Sequence, residues 1–305
     1  MIIQDNIIKP AEKYDVALRS LYSGCGFRQF AMSKFEEYDL YARNKDFLVS
    51  DDVITFKDTS GKLMALKPDI TLSIVKNGRD IPGEVQKYYY SERVYRISES
   101  VHAFREITQT GVECIGFEGE KEITEVVILA AQSMAACSPR YILEIADLDI
   151  LTGMIRRLGL PEETTPRILD YIKCKNLHDL RSYGKERGAL SAAMDDLCLL
   201  LEDGTPQEVC RRIERLGCSS TELEKLRRIL SAAEKNGLSD RIRLDMSLVS
   251  DINYYNGIIF RGFVYGVPSR VLSGGQYDRL MQKMGRSSRA VGFAVYLDEL
   301  ERLRS

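Results

Sequence analysis

Two long segments rich in aromatic and β-branched residues constrain the fold of this chain more than any other feature. The first, VQKYYYSERVYRI, begins at Val85, and the second, EITQTGVECIGF, begins at Glu106 after a short polar connection. Residues of these types favour β-strands, and a short connection can join two neighbouring strands only when they run antiparallel. The pattern therefore predicts a long β-hairpin.

A smaller hairpin and a helix are predicted before it. The segments VITFK and KLMALK, within residues 53–67, read as two strands joined by a polar turn from Asp58 to Gly61. Apolar residues at helical spacing follow Pro10 and stop at Gly24, which predicts an amphipathic helix there.

Further elements follow the long hairpin. Apolar spacing from Glu122 predicts a helix, and RYILEIA from Arg140 predicts a strand. Strand patterns return in RIRLDMSLVS (241–250), in the segment from Ile258 and in AVGFAV, and we expect a last helix from Tyr296 to Arg304.

Strand signals vanish between about 151 and 240, where helix signals multiply. Thr205 and Glu208 form a capping-box pattern with a proline at the first helical position, and Ser219 and Glu222 form a second such pattern. This stretch is predicted to be a small helical insertion.

The order of elements favours an α+β fold with an antiparallel sheet flanked by helices, rather than a doubly wound one, because hairpins join the neighbouring strands. We expect one core built from residues 1–150 and 241–305, interrupted by the helical insertion at 151–240.

Composition excludes several classes of function. Lysine and arginine total 43 against 45 acidic residues, a net charge of -2, whereas nucleic-acid-binding proteins usually have a clear basic excess. We therefore expect no nucleic-acid partner.

No signal peptide or long apolar run is present, so we expect a cytoplasmic protein without a membrane partner. The seven cysteines contain no C-x-x-C pair, so they are predicted to be reduced structural thiols, with no metal site and no cofactor.

Six segments, in order, resemble histidyl-tRNA synthetases, and this resemblance covers essentially residues 10–305. They are LKPDIT (66–71), YYYSERVYR (88–96), FREITQTGVECIG (104–116), DINYYNG (251–257), GGQYDRL (274–280) and AVGFAVYLDEL (290–300). The resemblance implies the class II synthetase fold.

The resemblance also implies a histidine-binding pocket. In that family an acidic residue and a threonine hold the amino group, a glutamine and a glutamate hold the amino acid and its imidazole, and paired tyrosines complete the pocket. Carried onto this sequence, the predicted histidine-binding residues are Asp69, Thr71, Arg96, Gln109, Glu113, Tyr254 and Tyr255. These residue types suit free histidine, which needs a carboxylate for its ammonium group and an acceptor for an imidazole N–H.

Each of these residues alone has a plainer interpretation. Glu113 can pair with a neighbouring arginine, Tyr254 and Tyr255 can be half-buried core residues, and Asp69 can cap a helix. Taken jointly and in family order, they favour the pocket.

The family's catalytic arginines are mostly missing, so we predict no catalytic residue. Arginines stabilise the charge that develops on the α-phosphate during adenylation. Arg96 keeps the motif 2 arginine, but Ser250 stands where a second arginine is expected, and Glu299 stands where the third is expected. Tyr296 replaces a family glycine, and its ring is expected to fill space that a nucleotide needs.

A retained histidine pocket without adenylation groups, and without an anticodon-binding domain after Ser305, resembles the regulatory subunit of short-form ATP phosphoribosyltransferase, the first enzyme of histidine biosynthesis. That resemblance implies a hetero-oligomer with the catalytic subunit, self-association as a dimer, activation of the partner and feedback inhibition by histidine. Whether histidine sits in this pocket or at the surface between subunits stays open. The alternatives are a tRNA-independent ligase that adenylates an amino acid, and an interaction protein with a vestigial pocket.

Overall fold

The fold is built around one large sheet. The computed structural model describes residues 9–48, 53–78, 81, 83–98, 103–249 and 254–302. The strands within them are β1 (Arg28–Gln29), β2 (Phe35–Glu37), β3 (Thr55–Lys57), β4 (Leu63–Leu66), β5 (Gln86–Ser98), β6 (Ala103–Phe117), β7 (Tyr141–Asp147), β8 (Ile242–Leu244), β9 (Asn256–Val264), β10 (Leu272–Gln276) and β11 (Arg289–Tyr296).

Helices surround this sheet, and three short 3-10 helices supplement them. In the described ranges the α-helices are α1 (Pro10–Gly24), α2 (Tyr38–Ala42), α3 (Thr71–Asn77), α4 (Lys121–Cys137), α5 (Leu148–Arg157), α6 (Thr165–Lys173), α7 (Leu177–Arg187), α8 (Ser191–Leu200), α9 (Pro206–Arg215), α10 (Ser220–Lys235), α11 (Asp278–Lys283) and α12 (Leu297–Leu300). The 3-10 helices are Lys45–Phe47, Glu162–Thr164 and Ser239–Arg241. None of the helices in this part of the chain is long and apolar enough to cross a membrane.

Eight strands form the large sheet, in the order β1-β5-β6-β11-β10-β9-β7-β8. The six central strands pair antiparallel, which confirms the predicted antiparallel sheet. The two edge strands differ, because β1 pairs parallel with β5, and β8 pairs parallel with β7. For β8 the reason is its connection: the chain leaves β7, passes through the helices α5 to α10 and returns in the same direction.

Both predicted hairpins form. In the long hairpin β5 and β6 pair from Gln86 opposite Ile115 to Ser98 opposite Ala103. In the small one, β3 pairs antiparallel with β4, and β2 adds to the other edge of β4. Local sequence signals were sufficient for both hairpins.

The helical segment begins earlier than expected, because α5 starts at Leu148 directly after β7. The capping box at α9 is confirmed: the backbone N–H of Glu208 donates to Thr205 Oγ1 at 3.3 Å, and the backbone N–H of Thr205 donates to Glu208 Oε2 at 2.8 Å. The second box is wrong, since Ser219 makes no side-chain cap at α10. The division of the chain into a core and an insertion stays a prediction.

Two further boundaries differ from prediction. The last helix covers only Leu297–Leu300, because Tyr296 still pairs with β6 and therefore ends β11; Arg304 lies outside the described residues. The strand expected over 241–250 is limited to Ile242–Leu244, because a turn follows in which the backbone N–H of Leu248 donates to the carbonyl oxygen of Asp245.

The two faces of the sheet have different roles. Alternate residues of a strand point to opposite faces. One face carries Val112, Phe260 and Phe293 into a buried core shared with α1 and α4, where the ring of Tyr22 meets Phe293 edge-on. The opposite face holds the polar residues of β6, β10 and β11 and is free to form a site.

Candidate functional site

A cavity of about 1080 Å³ lies on the polar face of the large sheet. Small residues line part of its floor, because Ala294 of β11 pairs with Ser273 of β10, and Gly292 lies two residues earlier in β11. Larger side chains on either side of these positions then enclose a depression. The floor therefore depends on which residues of neighbouring strands lie opposite one another. No single local motif determines that pairing.

All seven predicted histidine-binding residues line this one cavity. They are Asp69, Thr71, Arg96, Gln109, Glu113, Tyr254 and Tyr255. They come from the start of α3, from β5 and β6, and from the segment before β9. The fold thus brings together residues that are far apart in sequence, while their role as histidine ligands stays a prediction.

Glu113 is a buried acid on the cavity face of β6. Its side chain is only 2% exposed, and both carboxyl oxygens are hydrogen-bonded. The Thr71 hydroxyl donates to Oε1 at 2.8 Å, and the Tyr277 hydroxyl donates to Oε2 at 2.6 Å. Burial raises the pKa of Glu113 to about 8, although the two hydroxyl groups oppose the rise. The pKa of this carboxyl group therefore lies above neutral pH, where the protonated form is favoured.

Gly292 gives Glu113 its space. A Cβ atom at position 292 would lie 1.8 Å from Glu113 Oε2 and 2.5 Å from the carbonyl oxygen of Val112. Neither neighbour can give way easily, because the carboxyl group is buried and the carbonyl belongs to β6. Glycine is needed at position 292 because β6 and the Glu113 carboxyl group lie so close to its backbone. It is not needed for a positive φ angle.

Replacement of Gly292 by alanine is therefore expected to lower the free energy of unfolding by about 1 to 3 kcal/mol, the usual range for overpacking, and to displace the Glu113 carboxyl group from Tyr277. Urea unfolding measures the loss. The matched control is Gly119→Ala, since a Cβ atom at position 119 meets nothing within 4 Å and should leave stability unchanged within about 0.5 kcal/mol. Equal stability of the two variants would contradict this account.

Asp69 has two roles. Its Oδ1 accepts a hydrogen bond from the backbone N–H of Leu72 at 2.9 Å, so the plainer interpretation of a helix cap is confirmed for α3. The residue also lines the cavity at 8% exposure, where burial raises the pKa of the carboxyl group and Arg96 opposes that rise. Arg96 is itself held in place, because its Nε donates to the carbonyl oxygen of Pro68 at 3.0 Å.

Three phenol rings that meet edge-on or tilted form another wall. The rings of Tyr254 and Tyr255 are 4.6 Å apart between centroids, and those of Tyr254 and Tyr277 are 6.2 Å apart. Burial raises the pKa of all three hydroxyl groups well above the ordinary value, so they remain protonated donors. Tyr277 was not among the predicted site residues, although it lies in the GGQYDRL segment that carries part of the resemblance.

Gln109 of β6 contributes a side-chain amide to the cavity lining. Its side chain is 4% exposed and lines the cavity, and its amide forms no hydrogen bond with any residue in the described ranges. In the sheet it lies directly opposite Tyr296.

The three positions expected to disable adenylation fall in different places. The Tyr296 hydroxyl lies 2.6 Å from Ser273 Oγ inside the cavity. Glu299 does not line the cavity; its carboxylate accepts a hydrogen bond from the Ser269 hydroxyl and pairs with Arg302 at 2.9 Å. Ser250 lies outside the described residues.

The sequence does not predict the far wall of the cavity. Side chains of α5 and α6 close it, among them Arg156, Leu169 and Lys173, and Arg270 adds a further positive charge at the rim. No spacing or motif marks these residues, because their position depends on how the helical segment folds back over the sheet.

The sheet, its covering helices and this tyrosine-lined cavity define a protein of the class II synthetase type. The family model described as Histidyl-tRNA synthetase matches residues 6–300. A solved structure titled as an ATP phosphoribosyltransferase regulatory subunit/histidyl-tRNA synthetase from Bacillus halodurans C has a TM-score of 0.83 at 22% identity, covering 97% of this chain and 79% of that one. A chain of the ATP phosphoribosyl transferase (HisG:HisZ) complex from Thermotoga maritima has a TM-score of 0.76 at 19% identity, covering 97% and 98%.

Curated relatives narrow the family. The ATP phosphoribosyltransferase regulatory subunit of Clostridium novyi (strain NT) is 30% identical, over 98% of this chain and 74% of the relative. The protein of the same name from Bacillus thuringiensis (strain Al Hakam) is 28% identical, over 95% and 71%. The chain belongs to the family of ATP phosphoribosyltransferase regulatory subunits, which has the histidyl-tRNA synthetase-like domain.

Proposed function

We propose that this chain is a non-catalytic regulatory subunit that assembles with the catalytic subunit of ATP phosphoribosyltransferase, activates it and conveys feedback inhibition by histidine. The observation that carries the proposal is the cavity, in which Asp69 and Glu113 are buried side by side with tyrosines. Membership of the regulatory-subunit family supports the partner. A cytoplasmic location, as predicted, fits a biosynthetic role.

The chemistry of the cavity suits free histidine. The ammonium group would pair with Asp69, whose burial raises the pKa of the carboxyl group despite the nearby charge of Arg96. The imidazole ring would meet Glu113, which can donate or accept a hydrogen bond according to its protonation state, and would pack against Tyr254. Histidine would thus bring a positive charge and an imidazole N–H to two buried acids.

The same cavity is poorly suited to adenylation. Tyr296 places its ring on the cavity face of β11 and is held there by Ser273. The carboxylate at position 299 pairs with Arg302 and offers no positive charge to a phosphate. These features support a regulatory role, in which histidine acts by binding one state of the assembly more tightly than another.

The central test is reconstitution with the catalytic chain. Phosphoribosyl transfer to ATP would be measured with the catalytic chain alone, with this chain added, and with both plus histidine. We expect activation by this chain and inhibition by histidine that depends on it. Equal activity of the catalytic chain in the presence and absence of this chain would reject the proposal.

Replacement of Asp69 by asparagine tests whether this carboxylate binds the inhibitor histidine. Asparagine keeps an oxygen that can cap α3 through Leu72, but it removes the charge that pairs with an ammonium group. We therefore expect the histidine concentration for half-inhibition to rise by about tenfold or more, while activation persists. Asp298→Asn is the matched control, because Asp298 also accepts a backbone hydrogen bond, from Thr108 at 2.8 Å, yet does not line the cavity. Unchanged inhibition in the Asp69 variant would place the sensor elsewhere, such as the surface between subunits.

A second candidate, a tRNA-independent amino-acid ligase, is favoured by the arginines on the cavity wall, since Arg96, Arg261, Arg270 and Arg279 all line it. Histidine-dependent exchange of pyrophosphate into ATP by the purified chain would establish that activity. Absence of exchange together with histidine binding supports the regulatory role.

A further inference from the structure

A second depression lies at the entrance of the large cavity. It has a volume of about 390 Å³ and is lined by Asp46, Phe47, Arg279 and Lys283. The first three of these residues also line the large cavity, so the depression marks the mouth through which that cavity meets solvent. Asp46 is exposed and Phe47 is buried, so the chain turns from solvent into the cavity wall between two adjacent residues.

The segment 38–48, called the lid segment below, crosses this mouth. It contains α2 and a 3-10 helix, both short. The ring of Phe47 packs against the ring of Tyr254, with 6.2 Å between their centroids. The strand before the lid segment is anchored, because β2 pairs with β4 and because Lys76 Nζ of α3 lies 2.6 Å from Glu36 Oε2. The lid segment is therefore fixed where it begins and covers the cavity near its other end.

One side chain of α11 holds that covering end. Lys283 Nζ lies 2.7 Å from Asp46 Oδ2 and 5.0 Å from the centre of the Phe47 ring. An ion pair and a cation–π contact thus connect two adjacent residues of the lid segment to a helix outside it. Both partners of the ion pair are partly exposed to water, and contacts of this kind are weak enough to break and form again in solution.

The contact between the lid segment and α3 has a defect. Tyr41 of α2 and Ser73 of α3 are both fully buried, and neither hydroxyl group has a hydrogen-bond partner in the described ranges. The two groups are neighbours, since Ser73 opposes the rise in the pKa of Tyr41 that burial causes. Buried hydroxyl groups without a partner cost free energy. A small shift of α2 would bring the two together, so this position of the lid segment is not uniquely favoured by its packing on α3.

We propose that segment 38–48 is a movable lid over the mouth of the cavity, and that Lys283 holds it shut through Asp46 and Phe47. Opening of the lid would separate Phe47 from Tyr254 and expose the cavity wall to solvent. Closing would shield a bound ligand. The motion of the lid does not require the proposed binding of histidine, whereas its effect on the entry and exit of histidine rests on that proposed function.

Hydrogen–deuterium exchange of the full chain measures lid opening without any ligand. The amide N–H groups of Phe47 and Leu48 are the reporters, because they donate to the carbonyl oxygens of Asn44 and Lys45 within the lid segment. Lys283→Met keeps the apolar stem and removes the charge. We expect exchange of the two reporters to become about threefold to tenfold faster, the scale of one exposed ion pair and one cation–π contact together. Exchange in the paired part of β6 should not change.

Two further variants separate the proposed contact from a general loosening of the segment. Lys283→Arg keeps the charge and the contact with the ring, so its exchange should match that of the wild-type chain. Arg43→Met removes the ion pair between Arg43 and Asp39, which is exposed and lies within α2. Because that pair does not connect the lid segment to α11, its loss should change the exchange of the reporters by less than about twofold.

The rates of histidine binding test the effect of the lid on access. Stopped-flow tyrosine fluorescence gives them, since the chain has 16 tyrosines and no tryptophan. Lys283 does not line the large cavity, so it is not expected to contact the ligand. Lys283→Met should therefore raise the association and dissociation rate constants together, by about threefold to tenfold, and leave the dissociation constant within about twofold of the wild-type value.

Unchanged exchange of the reporters in Lys283→Met, or equal acceleration in Arg43→Met, would overturn the proposal. Faster exchange in Lys283→Met with unchanged histidine rate constants would also overturn it, since the ligand would then enter by a path that the segment does not cover. Failure of the wild-type chain to bind histidine would instead reject the proposed function. In that case the exchange measurements decide on the lid alone, and acceleration confined to Lys283→Met supports it.

Discussion

The free energy of unfolding of this chain should fall as the pH rises from about 5 to about 8, and Glu113→Gln should remove much of that fall. The folded chain holds the pKa of Glu113 at about 8 because the group is buried, whereas its ordinary value is 4.5. Between these values the folded state keeps a proton that the unfolded state releases. The contribution of that proton to the free energy of unfolding is therefore fully present below the ordinary pKa of 4.5. It is lost as the pH rises toward the folded-state pKa of about 8.

The expected effect is large. A difference of this size between folded and unfolded pKa values corresponds to about 3 to 5 kcal/mol, spread over the whole interval. The side chain is only 2% exposed, so solvent screening removes little of it. Glutamine keeps the shape of the protonated acid and cannot ionise, so the variant should be close to wild type near pH 5 and more stable than wild type near pH 8.

Urea unfolding across this pH interval measures both profiles. Asp69 has a pKa raised in the same direction and remains in both proteins, so the difference between the profiles reports mainly on Glu113. The control is Glu37→Gln, because Glu37 is exposed and Lys62 lowers the pKa of its carboxyl group. An acid with a lowered pKa does not reduce the free energy of unfolding as the pH rises. Parallel profiles for wild type and Glu113→Gln would show that Glu113 ionises normally.

A buried acid without a cation is a destabilising feature that a binding site explains. Glu113 has two hydroxyl partners, Thr71 and Tyr277, but no basic side chain in the described ranges is bonded to it. The plainer sequence interpretation, a strand glutamate paired with an arginine, is therefore wrong. Polar groups that reduce stability are often retained where a ligand must bind, and this is the reason the acid supports the proposed histidine site.

The parts of the fold that the sequence predicts best are those set by neighbouring residues. The long hairpin follows from two strand-forming segments and a short turn, and the cap of α9 follows from Thr205 and Glu208. Ser219 carries the same pattern without forming the cap, because a pattern of residue types does not fix the side-chain conformation that the bond requires. The direction of β8 was missed since it depends on the path of a long helical connection.

The same distinction applies to the site. The ordered motifs predicted seven site residues, and all seven line one cavity. The motifs did not identify Arg270 or the wall formed by α5 and α6. These parts depend on which helices pack over the sheet, and that is decided by tertiary contacts. Gly292 lies in a quoted segment, but its function as space for Glu113 is visible only when β6 and β11 are aligned.

A buried ion pair joins the helical segment to the sheet, and its removal should be the most destabilising single change considered. Lys225 of α10 is 4% exposed and Asp147, at the end of β7, is fully buried, with 2.8 Å between Nζ and Oδ2. Asp147 also accepts the backbone N–H of Asp149 at 2.9 Å and so caps α5. Two elements of the helical segment therefore meet at one carboxylate.

Lys225→Met keeps the apolar stem but leaves Asp147 buried and charged without a cation, so we expect a loss of about 3 to 5 kcal/mol in the free energy of unfolding, measured in urea. Lys235→Met, at the exposed end of the same helix, should change it by less than about 0.5 kcal/mol. Adding Asp147→Asn to Lys225→Met should recover part of the loss, because asparagine is neutral and can still accept the bond from Asp149. A loss below about 1 kcal/mol in Lys225→Met would mean that water or another group compensates Asp147, and that packing alone holds α10 against the sheet.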